Sequence, residues 1–223
     1  MSLRPPKKSD LGKSWMQPRR GKIKRIQPEY HLIVSEGTNT EPAYFTSIKN
    51  AINAQYKGKI QLDILGIGDN TLNLLQKTRK RVASSPNIYS HVWLIYDTDD
   101  FPAENVDKVA EMAEVYSNDE TKYHAVWSNQ CIELWFLLHF SYMQSDLHRT
   151  EYYPKLTDCL KNINAGEYKK NRTDMYHILY PFMDNAIANA KRLAQYNSNK
   201  PPSKSTPGTK LHELIQKLKP YLS

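Results

Sequence analysis

The chain has 223 residues, 39% hydrophobic and 24% charged, with a formal charge of +8 at pH 7, enough apolar content for one well-buried core. The apolar run Ile132 to Phe140 contains Glu133 and is too short to cross a bilayer, and nothing of signal-peptide form lies near Met1, so a cytoplasmic, membrane-free protein is expected. Cys131 and Cys159 have neither CxxC spacing nor a nearby histidine pair, which argues against a zinc site or a disulfide framework.

The charge excess lies at one end. From Met1 to Pro28 there are nine basic residues against Asp10 alone, and the remainder is formally neutral. With Pro5, Pro6, Pro18 and Pro28 and little hydrophobic periodicity, residues 1–28 are expected to be a basic, disordered tail. Arg19, Arg20, Lys22, Lys24 and Arg25 suit contact with nucleic-acid phosphates, affinity without sequence specificity; a merely solvated leader is the other reading.

The folded part should begin near Tyr30. Tyr30 to Val34 reads as a strand, and Glu41 to Gln55 as a helix with Tyr44, Phe45, Ile48 and Ile52 on one side. Lys59 to Leu65 is a second strand, and Leu72, Leu75, Thr78 and Val82 mark a second helix. His91 to Tyr96 is a third strand, Asn105 to Tyr116 a third helix and Tyr123 to Trp127 a fourth strand. Beyond Asn129 the pattern is helical: Gln130 to His139, Tyr152 to Ile163, Met175 to Tyr196, a flexible connector over Asn197 to Gly208, and a last helix from Thr209 to Tyr221. The expected fold is α/β, a mostly parallel, Rossmann-like sheet of about four strands with flanking helices, then a helical C-terminal part. A division into residues 1–28, 29–140 and 141–223 follows, the last packed as an extension on the second.

In such sheets ligands bind beyond the carboxyl ends of the strands. Glu36 stands there, after an apolar strand and before Gly37, a position suited to metal binding or proton transfer. Thr38 and Glu41 match a helix capping box, so Glu41 is read as structural. At the end of the third strand, Asp97, Asp99 and Asp100 crowd together; like charges this close are usually relieved by a divalent cation, and hard oxygen ligands suit Mg²⁺ or Mn²⁺. Asp100, before Phe101-Pro102, equally suits a turn or cap. Gly66-Ile67-Gly68 is too short for a dinucleotide fingerprint.

The order strand-Glu-Gly, two βα units, strand-Asp-x-Asp resembles the TOPRIM domain of topoisomerases, primases and overcoming-lysogenization-defect nucleases. HLIVSEGTNTEPAYF from His31, Trp93 to Asp100, SNQCIELWFLLHF from Ser128, Tyr168-Lys169-Lys170 and the terminal PGTKLHELIQKL together resemble the RloB family of TOPRIM proteins associated with bacterial phage defence. The resemblance covers roughly Tyr30 to the end, with Gln130-Cys131-Ile132 where the pattern has Pro and an aromatic. It implies a magnesium-dependent nuclease: Glu36 as general acid/base or metal ligand, Asp97 and Asp99 as metal ligands. Glu133, a charge inside an apolar helix, needs a metal, a cation or a strong donor, either in the site or in a structural ion pair. Lys170 is either a phosphate or transition-state contact or a solvated lysine. His139 is expected to pack at a helix terminus where cations are favoured, Thr209 to be an N-cap, His212 to pack, and Trp93, Trp127 and Trp135 to be core.

Three functions compete at this stage. The first is a nuclease acting on DNA or RNA; the second is a silent TOPRIM module that binds nucleic acid or a partner protein of a defence system. A phosphatase using Asp97 as nucleophile is the third, disfavoured because its DxD would follow the first strand. A homodimer through the helical C-terminal part is the oligomer that base rates favour.

Overall fold

The computed structural model describes residues 28–69, 71–98 and 102–222. The basic cluster Arg19, Arg20, Lys22, Lys24 and Arg25, and the expected ligand Asp99, lie outside the described residues.

The first half alternates as expected: β1 (Glu29–Ser35), α1 (Thr40–Tyr56), β2 (Ile60–Gly66), α2 (Thr71–Ala83), β3 (Tyr89–Asp97), α3 (Ala103–Tyr116) and β4 (Lys122–Ser128). The strands form one parallel sheet in the order β2-β1-β3-β4. Both faces are covered, which is why the strands read as continuous apolar runs. Leu32, Val34, Val92, Leu94 and Tyr96 pack with Leu74 and Leu75 of α2 and Val106 and Val109 of α3. Ile33, Trp93 and Ile95 point the other way, into a cluster with Tyr44, Phe45, Ile48 and Ile52 of α1. From β1 the chain runs to β2 on one side and then returns to β3 on the other. The gap between the ends of β1 and β3 is therefore the topological switch point, where such sheets bind ligands.

The second half supplies α4 (Glu133–Leu138), α5 (Arg149–Asn162), α6 (Met175–Leu179), α7 (Met183–Tyr196) and α8 (Leu211–Leu218). Their buried residues join the α1 cluster as one continuous core. Trp135 illustrates the join: its ring is fully buried and its indole N–H donates to the Tyr44 hydroxyl at 3.1 Å. Trp93 and Trp127 are also buried, as expected of core residues.

Three local expectations need correction. The helix expected from Gln130 begins at Glu133, because Gln130 sits at φ 61, outside the right-handed helical region. Glu133 is thus the first residue of α4, not a residue in its interior. The helix expected over Met175 to Tyr196 is interrupted by a 3₁₀ turn, Tyr180–Phe182, around Pro181, which has no N–H to continue the ladder. The connector expected to be flexible is tied down: Asp107 accepts from the Ser203 N–H at 2.9 Å and from its hydroxyl at 2.7 Å, and the Asn197 amide donates to Pro207 O at 2.7 Å. Thr209 caps α8 as expected, its Oγ1 accepting from Leu211 N at 3.2 Å, although the residue that borders the helix is Lys210. The same hydroxyl pairs with Ser128 Oγ at 2.8 Å, while Lys210 N donates to Trp127 O and Asn129 N to Gly208 O, so this segment adds an antiparallel bridge to the end of β4.

Candidate active site

At the switch point Glu36 is fixed by its backbone. Its N–H donates to Ile95 O at 2.9 Å, and its carbonyl accepts from Gly68 N at 2.9 Å, where Gly68 takes the φ of 65 that favours glycine. One of its carboxylate oxygens, Oε2, is shielded from solvent. Across the gap, Asp97 closes β3, and the following Thr98 N–H is held by Ser128 O at 3.1 Å.

The turn after Glu36 explains Gly37 and overturns the reading of Glu41. The N-cap of α1 is Asn39, which makes no side-chain capping bond, so no capping box forms. The buried Glu41 side chain instead folds back over Gly37, where a Cβ would lie 2.1 Å from Glu41 Oε2, so any other residue here would displace the carboxylate. This places the Glu41 carboxylate in a cleft of about 270 Å³ that is lined also by Asp97, Cys131, Glu133 and Lys170. Of the residues expected to form a site, Asp97, Glu133 and Lys170 are brought together here. Glu36 does not line this cleft; it stands two residues beyond Val34, which packs toward α2 and α3.

Sequence reasoning missed Glu41, Tyr168 and Cys131 as parts of this arrangement. The Tyr168 hydroxyl donates to Glu133 Oε1 at 2.6 Å in a buried setting, the strong donor that a buried carboxylate requires. Burial and then the charge of Glu133 push the phenol of Tyr168 well up, so it remains a donor. Burial, then Glu133 and Asp97, likewise push the Cys131 thiol up, which keeps it from acting as a thiolate. Burial raises Glu41, with Glu133 adding to the shift, while its own backbone amide and Lys170 oppose it. Lys170 is held above the usual lysine range, first by hydrogen bonding to Tyr153 and then by Glu133, and its Nζ lies 5.2 Å from the centre of the Tyr153 ring. A signal for Glu41 was present: it lies five residues after Glu36, across a glycine-containing turn.

The opposite end of the sheet holds a second cluster. Glu29, His31 and His91 place one potential ligand atom each within 4.8 Å of one another. The hydrogen bonds assign these atoms to a different task. Trp93 Nε1–H donates to His31 Nδ1 at 3.2 Å, so in neutral His31 the proton is on Nε2, which faces Glu29 Oε1 at 3.3 Å and has no lone pair for a metal. His91 Nε2 and Lys217 Nζ approach the same oxygen at 3.2 and 3.1 Å, and His91 Nδ1 pairs with His124 Nε2 at 2.8 Å. Burial lowers His31 and His124 to about 4. His139 at the end of α4 packs there as expected, fully buried with Nδ1 on Trp135 O at 2.9 Å; burial lowers it to about 4, so the ring is neutral and the helix-end preference for a cation plays no part. His212 is buried, as expected of a packing residue.

Residues 31–218 match the model of the family described as RloB-like protein. The chain belongs to the RloB-like protein family. No curated protein and no solved structure gives a match. The matched span of this RloB-like chain includes Glu36, Glu41, Asp97, Glu133, Tyr168 and Lys170, and leaves out Glu29. Among the described residues no helix is long and apolar enough to cross a membrane.

Proposed function

We propose that this RloB-like protein is a Mg²⁺-dependent TOPRIM nuclease that cleaves nucleic-acid phosphodiester bonds in bacterial phage defence. The observation that carries the reading is the convergence of Asp97, Glu41 and Glu133 with Lys170 in one cleft beyond the carboxyl ends of a parallel sheet. The donor set fits the ion: it is all carboxylate, and Glu41 is raised partly by the charge of Glu133, a repulsion that a divalent cation relieves. Asp97 in the cleft, with Glu36 and Asp99 on the family resemblance, would hold it. Held there, Mg²⁺ would supply Lewis-acid stabilisation of the charge that develops as the phosphodiester is cleaved.

The chain's own groups do the rest. Lys170, carried by the loop that Thr40 Oγ1 grips at 3.0 Å, sets a cation against a non-bridging phosphate oxygen. Glu133, oriented by Tyr168, takes a proton from the attacking water. Glu41 adds a further carboxylate to the cleft in which the cation would sit, and the departing oxygen takes its proton from solvent. A partner protein of the defence system is proposed as the trigger that keeps such an activity from harming its host, with a homodimer as the working assembly.

The test is incubation of the purified protein with labelled single-stranded DNA, duplex DNA, tRNA and total RNA in Mg²⁺, Mn²⁺ or EDTA, beside Asp97→Asn and Glu133→Gln. Metal-dependent cleavage lost in both variants supports the reading. Salt-sensitive binding without cleavage by wild type under any metal overturns it in favour of a silent nucleic-acid-binding module.

A further inference from the structure

Beside the cleft lies a larger groove of about 660 Å³ between α1 and residues 171–177. Thr46, Ser47 and Asn50 form one wall, and Asn171, Thr173 and His177 the other. Thr38 and Asn39 line both spaces, so groove and cleft meet at the turn that follows Glu36. The far wall is built: Ser47 Oγ donates to Thr173 O at 2.9 Å, and Arg172 fixes the loop by donating to both Asp174 oxygens, at 2.9 and 2.7 Å, and to the carbonyls of Ala165 and Glu167.

The chemistry of the lining is selective. Asp174 is its one carboxylate and is already engaged by Arg172; among the described residues no Lys or Arg lines the groove, which presents amides, hydroxyls and an imidazole set in a mainly apolar surface that includes Pro42 and Ala43. A rigid duplex would set a fixed row of phosphates against a lining without lysine or arginine, whereas a flexible single strand can turn its phosphates outward and its bases and sugars inward. Neutral donors and acceptors match instead the base edges and sugars of unpaired nucleotides, which a duplex hides.

We infer that this groove binds the unpaired nucleotides of a single-stranded nucleic acid that flank the phosphate held in the cleft. The choice of ligand rests on the proposed nuclease reading. The site and its neutral chemistry are new to it.

The experiment separates the two. Fluorescence anisotropy of short fluorescein-labelled single-stranded DNA, single-stranded RNA and duplex DNA is measured in EDTA, at about 0.2 M salt to weaken contacts from the basic tail. Thr46→Glu and Asn50→Glu, at exposed positions of the wall, each place a negative charge in the groove, while Val115→Glu on α3 is the control. The expected result is single-strand binding by wild type and control, weakened about tenfold or more in both groove variants with unchanged melting temperature. The DNA and RNA arms show which sugar is preferred. Absence of single-strand binding, tighter binding of duplex, or wild-type binding by both groove variants overturns the inference. Cleavage in Mg²⁺ with unaffected binding by the variants sinks the groove and keeps the nuclease; groove-dependent binding without cleavage does the reverse.

Discussion

Where β1 and β3 begin, Glu29 gathers Lys217, His31 and His91 around one oxygen; where they stop, Glu41, Glu133 and Asp97 face a shared cleft in which Lys170 is the lining cation. The first arrangement is close to self-sufficient. Burial works against the Glu29 carboxylate, yet Lys217 and His31 hold it below the usual range. The second is not. Burial and like charge raise Glu41, and Glu133 relies on Tyr168. One end of the sheet is built to be stable, and the other crowds carboxylates in one cleft in the way that active sites do.

The largest expected effect separates the two ends by activity. Asp97→Asn is expected to lower Mg²⁺-dependent cleavage by about 10² to 10³-fold or more, while Glu29→Gln leaves the rate within about twofold. Equal losses in the two variants, read from the same cleavage gel, would break the contrast. Stability should show the opposite bias. Glu29→Ala strands a buried histidine beside Lys217 and is expected to cost about 1–2 kcal/mol, discounted because the lysine is partly exposed, or a few degrees in melting temperature. An unchanged urea midpoint would show that the cluster is incidental.

The histidines add a pH dependence. His31 and His124 have folded values of about 4 against an ordinary 6.5, so between those values the unfolded chain binds more protons than the folded one. Stability is therefore complete above about pH 6.5 and is lost progressively as pH falls toward 4, by on the order of 1 kcal/mol or more. Urea unfolding at a series of pH values checks this; a midpoint that is flat from pH 7 to pH 5 contradicts it.

Much of this was legible beforehand, and the omissions have physical causes. The βα alternation is written in apolar runs and helical spacing, and the parallel sheet follows from it. Asp97 and Glu133 stood out because a strand-end acid and an acid among apolar residues both need explaining. Glu41 was hidden by a local pattern: Thr38-x-x-Glu41 is a capping box on paper, but the glycine at 37 leaves room for the carboxylate to turn back into the cleft. The histidine cluster depends on register, not spacing. His31 aligns with His91, and Trp93 with His124, only once β1, β3 and β4 are paired, and the ring of His124 then stacks on Trp93 at 3.9 Å. Pro181 was a readable break in the pattern from Met175 to Tyr196, outweighed by the apolar spacing on either side.

The smallest expected effect tests the contrast most directly. Glu41 has a folded value above its ordinary 4.5, so the folded chain retains a proton that the unfolded chain has released, and stability falls as pH rises through that interval. Glu41→Gln removes the penalty while keeping the side chain's shape. It is expected to raise stability at pH 8, read as a higher urea midpoint, and to leave it nearly unchanged at pH 3, where both forms are neutral. Adding Mg²⁺ should raise the melting temperature of wild type by more than that of Glu41→Gln, because a cation bound only by the folded state stabilises most where charge is least relieved. A variant that is less stable than wild type at pH 8, with an unchanged response to Mg²⁺, would mean that Glu41 is satisfied as it stands and that the cleft holds no reserve of charge for an ion.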